Sequence, residues 1–131
     1  MKKIIILIFF SLSSISVFSQ KTTESTTQSI TNENEVVYRL FPTQNMYTFL
    51  KLDTRNGKIW QVQWDIDSAY RFVTVLSDTA LVFKEEEKNG RFTLYPTTNI
   101  YNFILLDQIE GKTWQVQWSQ KKENRGVMAI K

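Results

Sequence analysis

Two aspartates, Asp53 and Asp107, stand at matching points of two near-identical stretches, LDTRNGKIWQVQW and LDQIEGKTWQVQW. Two carboxylates brought together by a fold are the minimum that a glycosidase-type acid/base mechanism requires. An aspartate that opens a turn closed by glycine also bonds its own backbone. The pair therefore carries two readings: a carboxylate-dependent hydrolase using Asp53 and Asp107, or two turn-forming residues. Asp65 and Asp67 form a second acidic pair, but without a glycine-bearing loop they fall short of a calcium site. The chain has no histidine and no cysteine, which removes Ser-His-Asp and Cys-His nucleophile systems and the common zinc sites. None of the four glycines belongs to a phosphate-cradling loop. The residue types thus call for no metal and no cofactor.

The aromatic residues are the second candidate set. All four tryptophans, Trp60, Trp64, Trp114 and Trp118, lie in the repeated octet GKIWQVQW/GKTWQVQW. Exposed, such rings offer stacking platforms for sugars; buried, they are core, since each large aromatic removes about 150–250 Å² from water. Gln61, Gln63, Gln115 and Gln117 alternate with them and suit either contact with a polar ligand or solvation of an outer sheet face. Asn45 and Asn99 follow a Pro-Thr step and read as turn caps.

These residues are positioned by a duplication. With Pro42 aligned on Pro96, 54 residues on, Tyr38 to Trp64 lies over Phe92 to Trp118 and more than half of the positions are identical. The match continues through Arg71 over Arg125 and Val73 over Val127. Two copies are few for an open solenoid, so a closed or face-to-face pair is expected. Each copy reads as a β-meander, with strands predicted at Tyr38–Phe41, Met46–Leu52, Lys58–Trp64 and Arg71–Leu76, the last matched by Arg125–Ile130. Pro42 ends the first strand because it cannot donate to a ladder. Gly57 closes the hairpin turn, where a positive φ suits a residue without Cβ.

Alternation along the strands puts Tyr47, Phe49 and Lys51 on one face with Trp60, Val62 and Trp64. In the second copy Tyr101, Phe103 and Leu105 lie with Trp114, Val116 and Trp118. Two such aromatic faces packed together would make a core without disulfides. The glutamines occupy the opposite, mixed face, partly covered by the segment 77–89, in which KEEEK (Lys84–Lys88) reads as a solvated loop or short helical turn. The hairpin resembles that of a group of small exported bacterial proteins of uncharacterised activity carrying an LDTRxGKxWxVQW motif. The resemblance implies a β-meander and transfers no functional residue.

The amino terminus, MKKIIILIFFSLSSISVFSQ, has the layout of a secretory signal peptide over 1–19, with an uncleaved N-terminal anchor as the alternative: Lys2 and Lys3, an apolar run, then small residues. Residues 20–35 are almost wholly polar and read as a flexible linker. The folded domain is expected over 36–131, as repeats 36–76 and 90–131 joined by 77–89. Without cysteine the protein is not a lipoprotein. Loss of Lys2 and Lys3 leaves fourteen basic against thirteen acidic side chains, a net of about +1. That balance gives no electrostatic case for nucleic acid or an anionic membrane surface, and no membrane insertion of the mature chain is expected. The expected fold is all-β, two tandem propeller-blade-like meanders forming a pseudo-two-fold sandwich or small barrel. The expected function is a non-enzymatic binding module, periplasmic or secreted, with a glycan or an envelope protein as partner. The alternatives are the Asp53/Asp107 hydrolase and a structural or inhibitory envelope protein.

Overall fold

The structure is a computed structural model that describes residues 35–131. The expected signal peptide, and the linker up to residue 34, lie outside the described residues. Among the described residues the fold is all-β, with eight strands in two four-stranded antiparallel meanders. The first repeat contains β1 (Tyr38–Pro42), β2 (Thr48–Asp53), β3 (Ile59–Gln63) and β4 (Phe72–Ser77). The second contains β5 (Phe92–Pro96), β6 (Asn102–Asp107), β7 (Thr113–Gln117) and β8 (Gly126–Ile130). Each sheet keeps strands in chain order, so every connection within a repeat is a hairpin. The sheets stack as a sandwich and do not close into a barrel. Among the described residues no helix is long and apolar enough to cross a membrane.

Local chemistry at three points forces the meander, and each recurs 54 residues on. At the first turn the Thr43 hydroxyl donates to the carbonyls of Asn45 and Thr48, while Asn45 Oδ1 accepts from the Tyr47 amide. Thr97 and Asn99 do the same for Tyr101 and Asn102. At the second turn the Gly57 amide donates to the Asp53 carbonyl with Gly57 at φ +82°, and Gly111 donates to Asp107 at φ +73°. At the third, Arg71 Nε and Nη2 donate to the carbonyls of Asp65 and Ile66, both at 2.7 Å. Arg125 staples the equivalent loop through Ser119 and Gln120, which explains the isolated arginine match between the copies. Asp65 and Asp67 cap successive amides of this loop, those of Asp67 and Ala69.

The register sets the faces. Phe49 pairs with Val62 and Lys51 with Trp60, so these four share a face with Tyr38, Leu40, Val73 and Val75. Leu50 pairs with Gln61 and Leu52 with Ile59, on the other face with Phe41. In the second repeat Phe92, Leu94, Phe103, Leu105, Trp114, Val116 and Val127 form the aromatic face. The alternation expected from the hairpin is therefore present in both copies.

The packing between the copies differs from the expected one. The core joins Leu50, Leu52 and Ile59 of the first repeat's glutamine face to Phe92, Leu94, Phe103, Leu105, Val116 and Trp118 of the second repeat's aromatic face. The two aromatic faces do not meet. A two-fold axis would bury the same face of each repeat; here opposite faces are buried, so the sandwich is stacked head to tail. β2 approaches β5, and β4 approaches β8. Thr54 bridges the copies at the turn end: its carbonyl accepts from the Phe92 amide at 2.8 Å, and its hydroxyl accepts from the Gly90 amide at 2.9 Å. The linking segment closes this end. Leu81 and Val82 pack on the core, the Leu81 amide donates to the Asn56 carbonyl, and Lys84–Glu86 forms a single 3-10 turn.

This asymmetry separates the two turn glycines. A Cβ at Gly57 would lie 2.7 Å from Leu81 Cδ1, whereas a Cβ at Gly111 meets nothing within 4 Å. Gly111→Ala should cost only the left-handed strain, about 1 kcal/mol. Gly57→Ala should add the cost of displacing the half-buried Leu81 side chain, about 1 kcal/mol. Equal losses in urea unfolding of the two variants would contradict the packing of Leu81 on the first turn.

Candidate functional site

Head-to-tail stacking leaves the aromatic face of the first repeat uncovered. Equivalent positions show the effect: Trp64 is 42% exposed against 2% for Trp118, Leu40 59% against 3% for Leu94, and Tyr38 54% against 1% for Phe92. Val73 and Val75 are also exposed, and Phe49, Trp60 and Val62 are half-buried between them. The result is one continuous apolar sheet face, of the kind that marks an interaction surface on a soluble protein.

The rings of this face are ordered by neighbours, not by a core. Trp64 Nε1 donates to the Met46 carbonyl at 2.8 Å, and Tyr47 packs on the Trp64 ring at 5.3 Å between centroids. Trp118 and Tyr101 repeat both contacts, with the Ile100 carbonyl as acceptor. Tyr38 meets Trp60 edge-on at 6.4 Å. Two cations reach these rings: Lys51 Nζ lies 4.7 Å from the Trp60 centroid and 5.8 Å from that of Tyr38, and the Arg55 guanidinium lies 6.0 Å from that of Tyr38. Such cation–π contacts hold a lysine stem flat on an apolar surface while its head stays wet. The second repeat has Leu105 in place of Lys51, fully buried.

The candidate residues divide accordingly. Trp118 is core, Trp114 packs against the core, Trp60 is half-buried and Trp64 is exposed. Of the glutamines, Gln63, Gln115 and Gln117 are partly exposed. Gln61 is fully buried, which corrects the expectation that it solvates an outer face. Neither amide atom of Gln61 has a hydrogen-bond partner, nor does the buried Thr48 hydroxyl beside it on that face. The copy supplies the contrast: Gln115 Nε2 donates to Asn102 Oδ1 at 2.9 Å, and Asn102 stands where the first repeat has Thr48.

Both aspartates are clamped by a guanidinium. Arg55 donates Nε to Asp53 Oδ1 and Nη2 to Oδ2; Arg91 donates the same two groups to Asp107. Burial pushes both carboxyls up, but the hydrogen bonds from these arginines, from backbone amides and, for Asp53, from Asn56 outweigh it. Both end below the ordinary aspartate value of 3.8. Neither therefore holds a proton near neutral pH, and neither is suited to act as a general acid. Among the described residues no three acidic side chains gather into a metal-holding group.

One cleft of about 380 Å³ opens beside Tyr101, Gln117, Trp118, Gln120, Lys121 and Asn124. It joins an aromatic ring to amide side chains. Comparison with protein-family models, with curated proteins and with solved structures finds no match.

Sequence reasoning passed over Tyr38, Leu40, Val73, Val75 and the role of Lys51. The signal lay in the differing positions of the repeat. Lys51 against Leu105, and Ile59 against Thr113, mark which face of each copy is open and which is buried.

Two predictions come from these groups. Asp107→Asn takes the two-point counter-charge from buried Arg91, leaving it Glu110 Oε1 at 3.6 Å, and should destabilise by up to about 3–5 kcal/mol. Adding Arg91→Met to Asp107→Asn, which keeps an oxygen to accept from the Ile109 and Glu110 amides, should recover most of that loss. Because the folded carboxyls lie below 3.8, their contribution is full above that pH and is lost as pH falls through the lower folded values. Acid titration of unfolding free energy for the wild type and the double variant measures it; identical acid limbs would contradict it. Separately, Gln61→Met should stabilise by about 1–3 kcal/mol by removing an unsatisfied amide. The half-exposed Gln115→Met should stay within about 0.5 kcal/mol of the wild type.

Proposed function

We propose that the chain is a non-enzymatic interaction module of the exported compartment, and that the aromatic face of the first repeat is its binding surface. One observation carries this reading. The same face is closed by a packed sheet in the second repeat and left open in the first. A surface of this extent and composition is stabilised by being covered. Its partner is a protein surface. Tyr47 and Trp64 are tilted against each other by 55°, and Leu40, Val73 and Val75 surround them with aliphatic groups. Sugar hydroxyls would find few hydrogen-bonding side chains there. Export rests on the lysine-led apolar segment at the amino terminus.

A glycan is the second reading, favoured by the cleft where Tyr101 stands beside Gln117, Gln120 and Asn124. The hydrolase reading has less support, since both carboxylates are committed to arginines.

Acrylamide quenching of tryptophan fluorescence tests the proposal, with Trp64→Phe and Trp118→Phe used to assign the readily quenched and shielded components. Protein fractions of the cell envelope should shield Trp64, and Leu40→Lys with Val73→Lys should abolish the shielding while leaving the fold intact. Shielding by oligosaccharides instead would transfer the function to the glycan reading. Failure of every protein, including the chain itself at high concentration, to shield Trp64 would overturn the module.

A further inference from the structure

We infer that the partner of this face is a second copy of the chain: the aromatic face of one first repeat docks on the glutamine face of another chain's second repeat. The inference deepens the proposed function and rests on it. Its ground is the interface inside the chain, which already joins a glutamine face to an aromatic face. Stacking two sheets head to tail leaves one face of each kind open, at opposite ends of the stack. The open pair is the complement that the buried pair defines.

The correspondence holds at most positions of the 54-residue offset; Thr113 and Asn102 stand for Ile59 and Thr48 on the open glutamine face, and Lys51 stands for Leu105 on the open aromatic face. On the buried side Phe41, Leu50, Leu52 and Gln61 present the glutamine face; on the open side Tyr95, Ile104, Leu106 and Gln115 stand in their places. On the buried side Phe92, Leu94, Phe103 and Trp118 present the aromatic face; Tyr38, Leu40, Phe49 and Trp64 repeat it in the open. Tyr95 and Met128 keep the open glutamine face apolar as well.

The cross-chain contact is weaker than the internal one, for three stated reasons. Lys51 replaces a buried leucine and must be desolvated. Arg125 Nη1 reaches the Thr74 hydroxyl at 3.4 Å within the chain, but the corresponding pair is Arg71 and Met128. Gln120 Nε2 donates to Gln63 Oε1 at 2.9 Å, but the corresponding pair is Ile66 and Gln117. Association is therefore reversible and concentration-dependent. A heterologous contact of this kind builds a ring where its rotation closes and a filament where it does not. Propellers of four-stranded blades hold about 4–8 blades, so a closed ring of two-blade chains would contain about two to four copies.

Sedimentation velocity on the purified mature chain, followed up to about 1 mM, tests this directly. The wild type should associate with rising concentration, and Trp64 should become shielded in step. Lys51→Leu should tighten association by about tenfold or more, a change of about 1.4 kcal/mol. Leu40→Lys blocks the aromatic end and Tyr95→Lys blocks the glutamine end; both positions are exposed, so circular dichroism should match the wild type. Each variant alone should stay monomeric, because every contact needs one end of each kind. Mixed, they should form a 1:1 dimer that grows no further. Association of Tyr95→Lys by itself would show a two-fold contact through aromatic faces and overturn the inference. A wild type that is monomeric throughout also overturns it. In that case shielding of Trp64 by another protein would leave the interaction module standing. Shielding in the monomer at every dilution would place another segment of the same chain on the face.

Discussion

A β-sheet has two faces, and two stacked sheets have four, of which one interface buries two. Most of what distinguishes the two repeats of this protein is set by that count. The chain buries the glutamine face of the first repeat and the aromatic face of the second, so neither copy is used as the other is. Had the copies met through the same face, as in a two-fold sandwich, their sequences would face the same demands at the same positions. Head-to-tail stacking imposes opposite demands. Position 51 can carry a lysine because it lies at the open end, while its counterpart Leu105 is sealed. Position 59 must be isoleucine-like, while Thr113 suffices where the face is open.

Beneath this asymmetry lies a scaffold that the copies share almost unchanged. The Thr–Asn turn cap, the glycine-closed hairpin, the tryptophan that bonds the carbonyl four residues after Pro42 or Pro96, and the arginine staple all recur. These bonds are local to each meander and satisfy backbone groups that its turns would otherwise leave unpaired. The turn aspartate shows that geometry is kept even where sequence is not. Asp53 takes its guanidinium from Arg55, two residues on, and Asp107 takes its own from Arg91 at the start of the second repeat. Both arrive in the same two-point geometry, which gives directional as well as electrostatic stabilisation.

The buried amide of Gln61 belongs to the same account. Glutamine at this position is satisfied by Asn102 in the open copy and unpartnered in the sealed one. An unpaired buried amide destabilises the fold.

Much of the molecule was legible in the residues alone. The duplication, the eight strands to within a residue or two, the turn roles of Asp53, Asp107, Asn45 and Asn99, and the two faces of each hairpin follow from period-two alternation and turn chemistry, which act over a few neighbouring residues. Identical positions carried that information because both copies need the same local bonds. Which face of each copy would be buried was not legible in the repeated residues, since the octet offers the same Trp60/Trp64 and Gln61/Gln63 pattern twice; only the differing positions, Lys51 against Leu105 and Ile59 against Thr113, carried it. The packing of one repeat on the other decided that Trp118 is core and Trp64 surface, and that Gln61 is sealed while Gln115 is not. Burial is a property of the stacked pair, not of either strand. A repeated sequence cannot by its repeated residues say which copy is covered; only the neighbour across the interface does.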